Sequence, residues 1–566
     1  MALAKIKLDE VDIKANPVLA DMPIISDSED GGRGKRVTGT ALKALIGGGS
    51  ITSVASYGAI GDGITDDTTA LQSAIDAGGA IIFEAGKTYL ITQLTIADRV
   101  ILIGNGATLV NAENRQNYPI VITADNTIIY DLNIHIETTS ATEHGSGIKI
   151  NADNVTLERV YIYADHQDCG YLNGGSFAIW IEGGADDAVL RDIRVHNFAY
   201  GLRFYGITTS DITQRAIVDN FKMTGSNVLG VFVSNLRNSK ITNVTIEGLS
   251  SVYSTVSSGD TIGKNGILIS PENGVENLSF SNISVSDTIE HCIRIGGLTS
   301  YTTGVSFANV SAKNAGRASS INGAIGFKLG GDTSTPAYNI SDVIVSGYRY
   351  EQTHIDTYGY GMTFYRCDNV TISDVVISGL ADKRIKYGVS FEGAKNIRFA
   401  NAVIANTSTS GLFVYGYYNA GGDFGTNENI VISDVSINAG GTYGMWLYTN
   451  ATSSNTKEIK NLIVTDIEVN DTTYSIGNSL TAYCTLTDAH IDRWRMINTG
   501  VSTGAGGFVA RGAYRQHWAS AAPVTGSWVL GERVWNSEPS AGAYEGWVCV
   551  ATGSPGTWKG FGLIES

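Results

Sequence analysis

Cysteine, proline and basic charge are scarce in this 566-residue chain, and long apolar runs are missing altogether. The five cysteines (Cys169, Cys292, Cys367, Cys484 and Cys549) lie far apart, without C-x-x-C spacing or nearby histidine clusters. That excludes a disulfide framework and a zinc site and predicts small buried thiols, with no metal and no cofactor. Lys and Arg number 39 against 55 Asp and Glu, for a formal net charge of −16, and no Lys/Arg-rich stripe stands out. Sequence-independent binding of nucleic acid or of anionic lipid needs such a stripe, so neither partner is expected. No stretch of 18 or more apolar residues occurs, and the N-terminus has no basic segment followed by an apolar block. Neither a membrane span nor a signal peptide is therefore read, and synthesis in the cytoplasm is expected. With 8 Pro, 67 Gly, 43% hydrophobic and 17% charged residues, the chain is ordered and long enough for several domains.

What is abundant is repetition. A nine-residue pattern, Asn-apolar-x-apolar-x-Asp/Asn-apolar-x-apolar, returns as NLSFSNISV at Asn277, NVTISDVVI at Asn369, NIRFANAVI at Asn396, NIVISDVSI at Asn429 and NLIVTDIEV at Asn461. Earlier copies are NVTLERVYI at Asn154 and KITNVTI at Lys240, and NISDVIV at Asn339 reads as a shortened one. Between copies stands Gly-apolar-x-apolar: GIKI at Gly147, GLRF at Gly201, GVFV at Gly230, GILI at Gly266, GFKL at Gly326, GMTF at Gly361, GVSF at Gly388, GLFV at Gly411 and GMWL at Gly444. The copies alternate apolar and polar with period two, which is a strand signal, and recur about every 23 to 36 residues. A coil of strands cannot bury its apolar face alone, whereas stacked coils share a continuous core. The pattern therefore predicts an all-β fold, a parallel β-helix of about eleven coils over residues 51–498. Asn tolerates left-handed backbone and can stack side-chain hydrogen bonds, so the Asn-x-Ser/Thr strings at Asn154, Asn277, Asn282, Asn339 and Asn369 read as turn periodicity rather than glycosylation. The Asp of the SDV strings (Asp342, Asp374, Asp434) recurs with the repeat and reads as a turn residue too.

At the head of the repeats, SVASYGAIGDGITDDTTALQSAIDAGGAIIFEAGKTYLI runs from Ser53 to Ile91. Thr65 or Asp66 can start a helix, Ala70, Leu71, Ala74 and Ile75 share one face, and Gly78-Gly79 ends it, giving an amphipathic cap for the open first coil. GDGITDD lacks the spaced ligands of a calcium loop. This segment closely resembles the N-terminal signature of the pectate-lyase-like superfamily. The resemblance implies a right-handed β-helix and carbohydrate chemistry, shared there among glycosidases, lyases and non-catalytic binders.

Residues 1–50 have another character, with Pro17, Pro23, mixed charges in DSEDGGRGKRVTGTALKAL and a Gly47-Gly48-Gly49-Ser50 joint. They resemble the short segments that precede receptor-binding parts of bacteriophage tail fibres and tailspikes. After residue 499 five of the eight tryptophans (Trp518, Trp528, Trp535, Trp547, Trp558) cluster, predicting a β-rich module over 499–566 whose rings pack a small core or a subunit contact, or stack on sugar faces. This order resembles a phage tailspike. The resemblance implies a homotrimer in the virion tail, held to other tail proteins through residues 1–50 and directed at a bacterial surface polysaccharide.

In each Gly-apolar-x-apolar strand the apolar residues point inward, so x and the residue two later point out. The first outward ladder reads Lys149, Trp180, Arg203, Phe232, Leu268, Arg294, Lys328, Thr363, Ser390, Phe413, Trp446; the second includes Glu182, Tyr205, Tyr365, Glu392, Tyr415 and Tyr448. Rings stack on sugars and cations bind acidic groups, so Trp180, Arg203, Tyr205, Arg294, Lys328, Tyr365, Tyr415 and Trp446 are expected to bind substrate. The expected reaction is endo-glycosidic hydrolysis, which needs an acid and an opposed carboxylate. Three clusters offer them: Glu182 with Asp165 and Asp168; Asp287 and Glu290 beside Arg294, with His291 inward; and Glu351 with His354 and Asp356. β-Elimination on a uronate, with Arg203, Arg294 or Lys328 as base or carboxylate clamp, is the second enzymatic reading. A non-catalytic adhesin is the third.

Overall fold

The computed structural model describes residues 51–111, 118–138, 146–167, 169, 177–206, 211–225, 228–248, 264–272, 274–296, 300–316, 325–330, 339–353, 359–380, 385–416, 418–419, 422–423, 426–438, 441–449, 457–480, 484–497, 517–525, 528 and 530–566. The expected N-terminal anchor, residues 1–50, lies outside them, as do Asp168, His354 and Asp356.

From Ile51 to Ile497 the chain winds as a right-handed parallel β-helix. One sheet of 21 strands carries the nine-residue pattern, and a second of 14 strands carries Gly-apolar-x-apolar. Eleven of the second-sheet strands are the expected coils. The others are Leu94–Ile96, Ile120–Ile122 and Tyr474–Ser479; like Ile179–Glu182 and Ile293–Ile295 among the eleven, they lack the leading glycine. Inward residues such as Ile148, Ile179, Leu202, Val231, Ile267 and Ile293 are fully buried, and one apolar cluster runs from Val54 to Trp494. Phe280 and Phe307 stack in it at 4.6 Å. The recurrent glycine has a steric cause: a Cβ on Gly201 would lie 2.3 Å from the carbonyl oxygen of Gly230, and one on Gly361 would lie 2.6 Å from that of Gly388.

The long first-sheet strands bend at left-handed residues five positions apart, as at Asn369 (φ 52°) and Asp374 (φ 59°), or Asn429 (φ 56°) and Asp434 (φ 55°). Their side chains form ladders. Asn461 donates to Asn429 at 2.9 Å and Asn429 to Asn396 at 2.8 Å. Asp342 (φ 56°) is also left-handed, but it heads its coil: Asn369 donates to it at 2.5 Å. The shortened copy thus begins at Asp342, not at Asn339, which instead donates to the Ser300 carbonyl at 3.1 Å.

The predicted capping helix spans Thr68–Asp76 and buries Leu71, Ala74 and Ile75. Its N-cap is Asp67 rather than Thr65 or Asp66, and the buried Asp67 carboxylate turns away from the helix to accept the backbone N–H of Ile60 (2.7 Å) and Gly61 (2.9 Å). Asp66 accepts the Thr68 N–H at 2.9 Å. The acidic string therefore ties the cap to the loop before it.

At the C-terminal end His517–Ala519, Arg533–Asn536, Tyr544–Ala551 and Thr557–Leu563 form a separate four-stranded sheet. Trp528, Val534 and Cys549 make its core, packed against Trp547 and Trp558. The indoles of Trp528 and Trp558 donate to the carbonyls of Thr525 and Pro555 and meet edge to face at 4.8 Å, so these two rings pack the module. Cys169, Cys292, Cys367 and Cys549 are buried and Cys484 is half-buried.

Candidate functional site

The second sheet presents its outward residues in register. Lys149 pairs with Trp180, Trp180 with Arg203, Arg203 with Phe232, Phe232 with Leu268, and Leu268 with Arg294. The column continues through Lys328, Thr363, Ser390, Phe413 and Trp446. A second column pairs Glu182 with Tyr205, and Tyr365 with Glu392, Tyr415 and Tyr448 in turn. These are the two ladders that the strand spacing predicts. At about 4.8 Å per coil they form a strip along the helix axis.

The middle of the strip concentrates charge. Arg294 and Lys328 are adjacent in the first column. Burial lowers the Lys328 ammonium to about 8, helped by the Arg294 charge and opposed by Glu290 and Glu392. Burial also raises the Glu392 carboxyl above the usual carboxylate range, against the pull of the Ser390 hydroxyl and the Lys328 charge. Ser390 donates to Glu392 Oε1 at 2.5 Å. Behind them His291 is buried, as expected, and its Nδ1 accepts the Ile325 N–H at 3.1 Å. Burial and the charges of Lys328 and Arg294 hold that imidazole neutral. Lys328 and Arg294 are thus neighbouring cations on the strip, with Glu290 and Glu392 acting on the ammonium.

Aromatic groups flank this centre on both sides. Toward the N-terminus the Arg203 guanidinium lies 3.9 Å from the Tyr205 ring and 4.9 Å from that of Trp180. Its Nε is buried without a hydrogen-bond partner among the described residues. Trp180 donates to the Tyr205 carbonyl at 3.1 Å, and the Lys149 ammonium sits over the Trp180 ring at 4.5 Å. Toward the C-terminus Tyr387 stacks on Phe413 at 4.3 Å, and Phe413, Trp446, Tyr415 and Tyr448 pack together at 4.9 to 6.2 Å.

The expected carboxylate clusters do not all gather here. Glu182 is on the strip but ion-paired to Lys149 at 2.9 Å. Asp165 bonds His135, a first-sheet residue, at 2.7 Å. Asp287 is left-handed (φ 55°) and accepts from Asn314 at 2.9 Å, which makes it a turn-ladder residue. Glu351 lies next to the last residue of the first-sheet strand Ile340–Gln352 and faces Lys313 at 3.5 Å. Asp168, His354 and Asp356 are beyond the described residues. Of the second cluster, Glu290 and Arg294 both act on Lys328. Glu392 stands on the second ladder, but its local sequence alone carries no sign of a role. Its signal was the register: Lys328, Thr363 and Ser390 are successive rungs, and Glu392 follows Ser390 by two.

Residues 51–250 match the family described as Rhamnogalacturonase A/epimerase, pectate lyase-like. A 78-residue stretch, 12% of this chain, is 38% identical to plasmin and fibronectin-binding protein A of Streptococcus pneumoniae (strain ATCC BAA-255 / R6) and spans 11% of that protein's length. Among solved structures, the Azotobacter vinelandii mannuronan C-5 epimerase AlgE6 A-module is similar at 15% identity over 78% of this chain and 99% of that one, with a TM-score of 0.36. The Streptococcus pneumoniae surface protein and adhesin PfbA is similar at 14% identity over 79% and 100%, with a TM-score of 0.37. Bacteriophage CBA120 tailspike protein 3 gives 13% identity over 96% and 73%, with a TM-score of 0.31. The likeness to the pectate-lyase-like family is carried in sequence by residues 51–250, which hold the capping helix and the first coils of the β-helix.

Proposed function

We propose that this protein cleaves a uronate-containing polysaccharide by β-elimination on the outer strip of the second sheet. The observation that carries the reading is Lys328, next to Arg294 on the strip and brought to about 8 by burial and by the Arg294 cation, against the opposing carboxylates of Glu290 and Glu392. A base titrating near the working pH suits abstraction of the proton α to a carboxylate, and an adjacent guanidinium neutralises the enolate charge that forms. The Lys328 amine takes that proton, a carbon–carbon double bond forms, and the glycosidic oxygen at the β carbon leaves with a proton from solvent. Glu392 orients and biases the amine; Trp180, Tyr205, Tyr365, Tyr415 and Trp446 support sugar rings on either side.

Hydrolysis is the second reading, favoured by the raised Glu392 carboxyl, a general acid with Glu290 as its opposed carboxylate. Incubation of the purified chain with a panel of bacterial capsular, O-antigen and exopolysaccharides, following absorbance near 232 nm and reducing ends together, separates the readings. Absorbance that disappears in Lys328→Ala supports elimination. New reducing ends without absorbance move the assignment to hydrolysis, and binding with neither leaves a receptor-binding adhesin.

Within this reading the protein is a phage tailspike: residues 1–50 attach to the virion, three chains assemble, and the target is a host surface glycan. Support comes from the N-terminal segment's resemblance and from the order of anchor, β-helix and compact C-terminal module. Light scattering that returns a monomer's mass would overturn the trimer.

A further inference from the structure

The first sheet carries its own groove, on residues that the proposed reaction leaves unused. A cavity of about 810 Å³ lies where the long strands bend, lined by Asp131, Asn133, Arg159, Tyr161, Asp192, Arg194, Asn220, Lys222 and Thr224, with Val160 and Val195 at its floor. Register sets the rungs: Asn133 pairs with Tyr161, Tyr161 with Arg194, and Arg194 with Lys222. A parallel column pairs His135 with Tyr163 and Tyr163 with His196. His135 stacks on Tyr163 within this column at 4.6 Å, and Tyr161 stacks on Tyr163 across the two columns at 4.8 Å.

Most charged groups there are satisfied. Arg159 lies 3.5 Å from Asp131 and over the Tyr130 ring, Asn220 donates to Asp192 at 2.6 Å, and Lys222 meets Glu247 at 2.9 Å. Arg194 is exposed and has no ion pair among the described residues. The groove therefore offers an exposed guanidinium next to a stack of aromatic rings, with the side chains of Asn133, Asn220 and Thr224 on its wall.

We infer that this groove is a second glycan site, binding an acidic saccharide that sets its carboxylate on Arg194 and its ring against Tyr161, which Tyr163 and His135 back by stacking. A guanidinium grips a carboxylate through two parallel N–H donors, and planar rings cover the apolar face of a sugar. The lining argues against a protein partner, because apart from the two floor valines it has no aliphatic side chain. The site sits on a different sheet from Lys328 and acts as a hold on the polymer, not as a reaction centre.

The test uses the full chain carrying Arg294→Ala and Lys328→Ala, so that binding is read without turnover and independently of the proposed reaction. Calorimetry with a panel of uronate oligosaccharides is expected to show, beside any binding the aromatic rings of the strip retain, a binding step that Arg194→Ala weakens about tenfold or more and that rising salt weakens too. In parallel, phenylglyoxal should modify Arg194 in the free chain and be blocked by the bound oligosaccharide. If no panel member binds, if Arg194→Ala changes nothing, or if Arg194 is unreactive in the free chain because another copy covers it, the assignment falls.

Discussion

Lys149 and Glu182 hold each other across one coil, Nζ to Oε2 at 2.9 Å, with the same ammonium resting on the Trp180 ring. Glu182 is only 8% exposed, so the pair sits largely out of water. Glu182→Gln leaves the cation without its counter-ion and is expected to destabilise by about 1–3 kcal/mol in chemical denaturation. Turnover should change no more than a few-fold. A hundredfold loss of kcat with unchanged folding would return the chemistry to this end of the strip.

Glu392→Gln probes the reaction itself. In elimination it removes a negative charge that opposes the lowering of Lys328, so the rise of kcat/KM with pH should move to lower pH while turnover persists. In hydrolysis it removes the acid, and kcat should drop by about 10²-fold or more at every pH.

The wild-type pH profile follows from the amine as base. Its neutral form grows as pH rises through about 8, so kcat/KM should climb and level off above that value. Stability responds with a definite sign. Between the folded value of about 8 and the ordinary 10.5, the unfolded chain holds a proton that the folded one lacks, so this residue's contribution to stability rises with pH across that window. Lys328→Met should flatten the denaturation midpoint over the same range.

The corner ladders make a prediction about stability alone. Asn429 is left-handed, donates to Asn396 and accepts from Asn461. Asn429→Ala should cost about 1–3 kcal/mol, through backbone strain and two lost side-chain bonds, and Asn429→Gly less, since glycine relieves the strain. Nature has already placed glycine at two equivalent corners, Gly304 (φ 66°) and Gly347 (φ 67°). Equal losses for Ala and Gly would mean that the backbone conformation contributes nothing.

Trp446 packs on Phe413, Tyr443 and Tyr448 and donates to Ser479 Oγ at 3.1 Å, so its ring is fixed before any ligand arrives. Trp446→Ala should raise KM about tenfold with kcat nearly unchanged, if it supports sugars remote from the bond that breaks. A fall in kcat alone would contradict that role.

The β-helix was legible because strand alternation, glycine and asparagine each repeat for one physical reason: core burial, backbone approach and left-handed turns. The ladders followed, since register is dictated by the pleat. Legibility ended where meaning depends on coil-to-coil neighbours. Asp287 looks like a free acid until Asn314 is seen above it, and Asp165 looks like a partner of Glu182 until it is found on His135. Glu392 lies 64 residues after Lys328 in the chain, a separation at which no local motif operates.

The first-sheet corners and the second-sheet connections divide the labour of change. Asn277 sits on Asn238 across 39 residues, while Asn309 sits on Asn282 across 27, yet the bonds are alike at 3.0 and 2.8 Å. The surplus lies between Ile246 and Ile267, on the way to the second sheet. Lengthening or exchanging such a connection leaves every rung in step, so its length and sequence can change without the scaffold being relearned. A library that randomises these connections should keep its folded fraction, whereas one that inserts a single residue at an asparagine corner should lose it.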